Sequence, residues 1–213
     1  MNINEYIDHT LLKSQSTTEE VIKLCNEAKT YNFCSVCVNP CDVSLCKKEL
    51  PNTNVKVCTV IGFPLGKNST EIKVSEAKQA VLDGANELDM VINVAKLKEK
   101  DYAYVENEIK KIIEVANGNV VKVIIETGLL TDEEIAIATK IVCKSGADFV
   151  KTCTGFTGGV ATEQAVKIMK ENLSGKTHIK ASGGIRTKED ALKFIELGVS
   201  RIGTSSGVKI MEE

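Results

Sequence analysis

The sequence has no surplus of charge: 27 Lys and Arg face 29 Asp and Glu, a formal net charge of -2. Nothing here matches the basic excess that tracks nucleic acid or an anionic membrane, so any anion is bound by local groups. No stretch approaches the ~18 consecutive apolar residues of a membrane span. The opening "MNINEYIDHTLL" lacks the basic segment and apolar run of a secretory signal. These absences predict a soluble, cytoplasmic protein without membrane or nucleic-acid partners. Histidine is scarce, with only His9 and His178, each in a short strand-like run. Lone histidines of this kind more often serve structure than catalysis, and neither is assigned a catalytic role. The three prolines, Pro40, Pro51 and Pro64, fall in loop-like segments, and no linker, repeat or low-complexity tract divides the chain. Residues 1–213 therefore read as one domain, long enough to bury a substantial core.

What is present is an alternation. Short β-branched runs alternate with helical segments of roughly a dozen residues, the pattern of parallel βαβ units. The strand-like runs are "YIDHTL", "CSVCVN", "VKVCTVIG", "ELDMVIN", "VKVIIET", "FVKTCT", "HIKAS" and "SRIGTS". Thr17 with Glu20, Thr131 with Glu134, and Thr187 with Asp190 have the spacing of a capping box, which satisfies free N–H groups at a helix start. Val21, Leu24, Cys25 and Ala28 then fall on one helical face, which places Cys25 in the core. Glycines 84, 118, 146, 175 and 198 stand where helices end and turn back. Eight such units predict an α/β fold, a single-domain (β/α)8 TIM barrel near the compact end of that architecture. The rival, an open nucleotide-binding sheet, would want Gly-x-Gly-x-x-Gly after the first strand, which is missing.

Side chains alternate along a strand, so Leu88, Met90 and Ile92 share one face of "ELDMVIN" while Glu87, Asp89 and Asn93 share the other with Val91. In "HIKAS" the same rule separates Ile179 and Ala181 from Lys180 and Ser182, and in "FVKTCT" Lys151 opposes Val150. Three strands thus aim Asp89, Lys151 and Lys180 into the barrel, near the ends where barrel enzymes keep their active sites. One reading is a structural ion cluster, although charge burial is expensive. The other is an amine nucleophile beside a second cation, because partial desolvation and a neighbouring positive charge favour the unprotonated amine that attacks a carbonyl. The runs "SGGIRT" after the seventh strand and "GTSSGV" after the eighth match the phosphate cradle of this fold, and "TGFTGG" adds a glycine turn beside Lys151.

The eight cysteines are read as reduced thiols, since the chain is neither short nor secretory in character. Cys34, Cys37, Cys41 and Cys46 cluster in sequence. An offset of three residues on a strand places Cys34 and Cys37 on opposite faces, so no metal site is expected from them. Cys37 is expected near the site as a free thiol.

Taken in order, "DHTLL", "TVIGFPLG", "ELDMVIN", "FVKTCTGF", "IKASGGIR" and "RIGTSSG" resemble the motifs of the deoxyribose-phosphate aldolase family over nearly the whole chain. The resemblance implies a class I aldolase that splits 2-deoxy-D-ribose 5-phosphate into D-glyceraldehyde 3-phosphate and acetaldehyde, with no metal or other cofactor. By motif position, Lys151 would be the Schiff-base lysine and Asp89 with Lys180 the proton-transfer pair. Gly155, Gly183, Gly184, Ser205 and Ser206 would bind the substrate or its phosphate, and Asp8 would support Lys180. The family usually reads Lys-Thr-Ser-Thr-Gly where this chain has Cys153, a near-isosteric change expected to keep activity and add thiol sensitivity. Some relatives also end in a tyrosine, where this sequence reads "KIMEE". The partners implied are small molecules, a sugar phosphate and acetaldehyde, and oligomeric state stays open, a homo-oligomer included. Alternatives are another Schiff-base sugar-phosphate aldolase, a non-catalytic sugar-phosphate binding barrel, and a radical iron-sulfur barrel enzyme.

Overall fold

Every one of the eight strand-like runs becomes a parallel strand of a closed barrel in the computed structural model, which describes residues 2–213. In chain order the elements are β1 (Ile7–Leu11), α1 (Thr18–Tyr31), β2 (Ser35–Val38), α2 (Val43–Glu49), β3 (Lys56–Ile61), α3 (Thr70–Leu82) and β4 (Glu87–Val91). Then come α4 (Val94–Lys98), α5 (Tyr102–Ala116), β5 (Val120–Ile124), α6 (Asp132–Ser145) and β6 (Phe149–Lys151). The last are α7 (Glu163–Glu171), β7 (His178–Ser182), α8 (Lys188–Glu196), β8 (Arg201–Thr204) and α9 (Gly207–Glu212). Each strand pairs with the next, and β8 returns to β1 through Ile7 with Ile202 and Asp8 with Gly203, which closes the (β/α)8 barrel.

Local sequence fixes the helix ends. All three expected capping boxes form, at Thr17 with Glu20, Thr131 with Glu134, and Thr187 with Asp190. Gly146 closes α6 in the left-handed conformation at φ 84°, while Asn32 and Asn117 do the same for α1 and α5. Glycine position alone does not mark these two ends, where Asn, the residue after Gly that best tolerates this conformation, takes its place.

Strand parity divides the interior in two. Outward residues such as Val36, Val57, Leu88, Met90, Val123, Val150, Ile179 and Ile202 join the helix faces in one large apolar core, which also holds Val21, Leu24, Cys25 and Ala28. Inward positions carry Asp8, Ser35, Cys37, Cys58, Glu87, Asp89, Lys122, Lys151, Lys180 and Arg201, all buried. Three details depart from the expected pattern. The run "FVKTCT" is strand only to Lys151: Thr152 still bonds Lys180 on β7, but its carbonyl and Thr154 turn to Thr127 and Glu126 in the loop after β5. Two helices rather than one follow β4, and β8 has a short helix of its own.

Candidate active site

The inward charges lie on six strands, and three of the lysines meet at one carboxylate. Asp89, at the centre of β4, is fully buried and divides its two oxygens between different neighbours. Oδ2 accepts from Lys151 Nζ and from Lys180 Nζ, each at 2.7 Å. Oδ1 accepts from Lys122 Nζ at 2.8 Å and from the Cys58 thiol at 3.1 Å. Parity turns these side chains inward and register brings them together: the partners of Asp89 and Lys151 on β5 are Lys122 and Ile124, and Lys151 is in register with Lys180. The expected triad of Asp89, Lys151 and Lys180 is therefore assembled.

Toward the amino-terminal end of the strands lies a second tier. Asp8 pairs with Lys180 at 2.5 Å and with Arg201, and it accepts from Ser35 Oγ at 2.7 Å. Glu87 pairs with Lys122 at 2.6 Å and with Arg201 at 2.7 Å. Asp8 thus sits beside Lys180 as expected. The sequence motifs assign no role to Lys122, Glu87, Arg201, Ser35 or Cys58, although Lys122 in "VKVII" carries the same signal as Lys151, a lysine inside a β-branched run.

The ionisation follows the packing. Burial would raise the Asp89 carboxyl, but Lys122, Lys151 and Lys180 outweigh it and hold the group well below the usual carboxylate range. Burial would depress Lys180, yet Asp8 and Asp89 outweigh it and raise its pKa above that of an ordinary lysine. Lys180 is thus a protonated donor, and Asp89 an ionised acceptor.

Of these lysines only Lys151 reaches open space. It lines a cavity of about 230 Å³ together with Thr154, Gly155, Gly183, Gly184 and Ser205. Lys13 and Arg186 also line this cavity, two cations to which the sequence motifs assign no role. Gly155, Gly183 and Gly184 have φ of 79°, 96° and 82°, which side chains disfavour, and a Cβ at Gly184 would press on Val160 at 3.0 Å. The glycine loops therefore meet at the cavity wall with their backbones uncovered. Ser206 does not line the cavity: it is half-buried and its amide donates to Thr204 Oγ1 at 2.9 Å.

Cys37 is buried in a small apolar cluster with Leu12, Cys58 and Val60, against which Phe63 packs. With Cys58 and Asp89 it forms the one potential metal-ligand group among the described residues, its atoms within 4.8 Å of one another. Lys122 Nζ contacts two members, Asp89 at 2.8 Å and Cys58 at 3.3 Å, so an ammonium already supplies the positive charge the carboxylate requires. Cys46 lies instead in the outer apolar core, and all eight cysteines are free. Cys153 is buried with Sγ 3.1 Å from Thr127 Oγ1, and burial pushes its pKa up, which disfavours the reactive thiolate. His9 points outward, bonded to Glu27 at 2.7 Å, and His178 is exposed.

Known proteins resemble this chain along nearly its whole length. The profile of the DeoC/LacD family of aldolases matches residues 3–212. A deoxyribose-phosphate aldolase of Finegoldia magna is 57% identical over 212 residues, covering 100% of both chains. One from Streptococcus sanguinis is 52% identical, over 100% of this chain and 96% of its own. Among solved structures, the tetrameric deoxyribose phosphate aldolase of Aeropyrum pernix superimposes with a TM-score of 0.88 at 35% identity, covering 99% of this chain and 89% of that one. The chain belongs to the DeoC/LacD family of aldolases.

Proposed function

We propose that this aldolase cleaves 2-deoxy-D-ribose 5-phosphate reversibly into D-glyceraldehyde 3-phosphate and acetaldehyde through a Schiff base on Lys151. The observation that carries the reading is the single oxygen of Asp89 shared by Lys151, which borders the cavity, and Lys180, which is sealed beneath it. The relatives that bear this activity in their names align along the full chain.

The chemistry follows from the placement. Lys151 sheds a proton and attacks the open-chain aldehyde carbon, and loss of water leaves a protonated imine that draws electrons from the adjacent carbon. When the hydroxyl one carbon further loses its proton toward Asp89, the intervening carbon–carbon bond breaks. Its electron pair forms an enamine, and glyceraldehyde 3-phosphate departs. Lys180 then donates a proton to the enamine carbon, and water releases acetaldehyde and restores the amine. Asp89 keeps the proton-transfer groups within one hydrogen bond of each other, while Asp8 and Lys122 hold Lys180 and Asp89 in place.

The phosphate would lie against Gly155, Gly183, Gly184 and Ser205, with Arg186 and Lys13 offering positive charge at the mouth. Ser206 would act through the turn it forms with Thr204. No step calls for a metal or other cofactor. We further assign the chain as one catalytic unit of the cytoplasm acting on small molecules, and the tetrameric Aeropyrum pernix relative supports a homo-oligomer here as well. No helix among the described residues is long and apolar enough to cross a membrane.

The test is direct assay of purified protein with 2-deoxyribose 5-phosphate, reading glyceraldehyde 3-phosphate release with a coupled dehydrogenase. Release that is unaffected by chelators and absent in Lys151→Met supports the assignment. Turnover of a ketose phosphate in its place would assign the site to another Schiff-base aldolase.

A further inference from the structure

Glu126 stands apart from the other buried acids. It follows β5, is 1% exposed, and holds a left-handed backbone conformation with φ 57° and ψ 63°, costly for a residue with a Cβ. Among the described residues its carboxylate has no cationic partner, whereas the buried Asp8, Glu87, Asp89 and Glu108 all have one. Each of its three hydrogen bonds comes from one residue, Thr154. The Thr154 amide donates to Oε1 at 3.3 Å and to Oε2 at 3.2 Å, and the Thr154 hydroxyl donates to Oε2 at 2.6 Å. Thr154 Oγ1 in turn accepts from the Phe156 amide at 3.1 Å, so a single carboxylate organises both sides of Gly155.

The surroundings are fitted to this contact. A Cβ at Gly159 would stand 3.3 Å from Glu126 Oε1, and one at Gly128 would stand 2.7 Å from the Gly159 Cα, so the loops after β5 and β6 meet through glycines. At its far end the β6 loop is tied by the Ala161 amide, which donates to Gly183 O at 2.9 Å. The segment from Thr154 to Ala161 is thus pinned at one end by Glu126 and at the other by the loop after β7. Between the pins lie Gly155, which lines the cavity, and Phe156, 51% exposed at the rim.

We propose that Glu126 is a positioning residue for substrate binding: its buried carboxylate shapes the loop after β6 so that Gly155 faces the phosphate end of the substrate. The proposal rests on the phosphate location given above. Charge explains why the position is acidic. An ionised carboxylate accepts an N–H and an O–H at once and holds both more tightly than a neutral acceptor does. A glutamine of the same shape keeps one neutral acceptor for the Thr154 hydroxyl but turns the other into a donor that faces the Thr154 amide N–H, so that contact is lost and the remaining ones lose their charge.

The experiment compares wild type with Glu126→Gln and Thr154→Val, first by amide hydrogen exchange across residues 153–161 and then by kinetics. Both variants should exchange faster in that segment, while Thr154→Ser, which keeps the hydroxyl, should regain most of the protection. For 2-deoxyribose 5-phosphate, Glu126→Gln should raise KM about tenfold or more, the size expected when hydrogen bonds to a charged group are lost. KM for unphosphorylated 2-deoxyribose should move far less, and borohydride trapping of acetaldehyde on Lys151 should stay close to the wild-type rate. The double variant should be no worse than the worse single, since both remove the same contact. Unchanged exchange at 153–161, or equal losses on the two sugars with a matching fall in trapping, would overturn the proposal. A wild type inactive on the sugar phosphate would refute the reaction assigned above, and exchange, which needs no substrate, would still decide the role of Glu126.

Discussion

Lys180 and Lys73 are equally buried, both with no exposed surface, yet their environments push them in opposite directions. Lys180 lies inside the barrel between Asp8 and Asp89, whose charges outweigh burial and raise its pKa. Lys73 lies outside the barrel on α3, facing α5, with the single carboxylate of Glu108 at 3.0 Å and the Val91 carbonyl at 2.8 Å. There burial prevails and lowers the pKa of Lys73, and burial likewise raises that of Glu108. The difference teaches that the number of partners, not depth, decides what a buried lysine can do. One carboxylate makes a structural clamp, here on the end of β4. Several carboxylates shared among several lysines make a lattice in which protons have donors and acceptors within one bond.

The largest effect should separate the two regions cleanly. Asp89→Asn leaves Lys122, Lys151 and Lys180 without their common anion, and cleavage should fall by about 10²–10⁴, the usual contribution of positioned proton transfer. Lys180→Met should lose turnover on the same scale. Lys73→Met should instead lower stability in urea by about 3–5 kcal/mol, the cost of stranding one partner of a buried pair. The fraction that stays folded should keep most of its kcat. Adding Glu108→Leu should recover much of that stability, and if it also restored a lost kcat, the clamp would belong to the catalytic lattice.

The pH dependence should also differ in sign. Asp8 and Asp89 have folded pKa values below the unfolded value of about 3.9, so their contribution is present above that pH and is lost as pH falls toward the folded values. Lys180, raised, contributes fully below about 10.5 and loses that contribution as pH rises past it. Glu108, also raised, works the other way from the aspartates: its contribution is present below about 4.3 and fades as pH rises through its folded pKa. Urea unfolding between pH 3 and pH 6 should therefore show stability rising with pH in wild type, and more steeply in the double variant lacking Lys73 and Glu108. A flatter slope in the double variant would contradict this account.

The smallest effect belongs to the rim. Ser205→Glu places a carboxylate beside the proposed phosphate position and should raise KM for the phosphorylated sugar about tenfold, ~1.4 kcal/mol. The unphosphorylated sugar should be nearly indifferent. Equal changes on both would place the phosphate elsewhere.

Parity along strands made most of the interior legible from sequence, because a period of two residues places Asp89, Lys151 and Lys180 inward whatever the loops do. Lys122 and Arg201 obey the same rule and lay equally open to that reading. The pairing of Cys58 with Cys37 was hidden for another reason: spacing within one strand says nothing about the neighbouring strand, and it is register that sets the two side by side. Glu126 lay beyond any periodic argument. Its role depends on a left-handed turn that redirects the side chain to Thr154, a conformation the motif "IIET" does not announce. Phosphate-loop glycines were legible from position, but the seating of Ser206 behind Ser205 depends on the hydroxyl of Thr204.

The central claim is that Lys151, not Lys180, forms the bond to substrate. Both share Asp89 Oδ2, but only Lys151 borders the cavity, so the decisive measurement is borohydride reduction in the presence of acetaldehyde, followed by peptide mass mapping. A single ethyl group on the peptide containing Lys151, absent in Lys151→Met and retained at a slower rate in Lys180→Met, is the predicted result. An ethyl group on Lys180, or none on either lysine while cleavage proceeds, would contradict it.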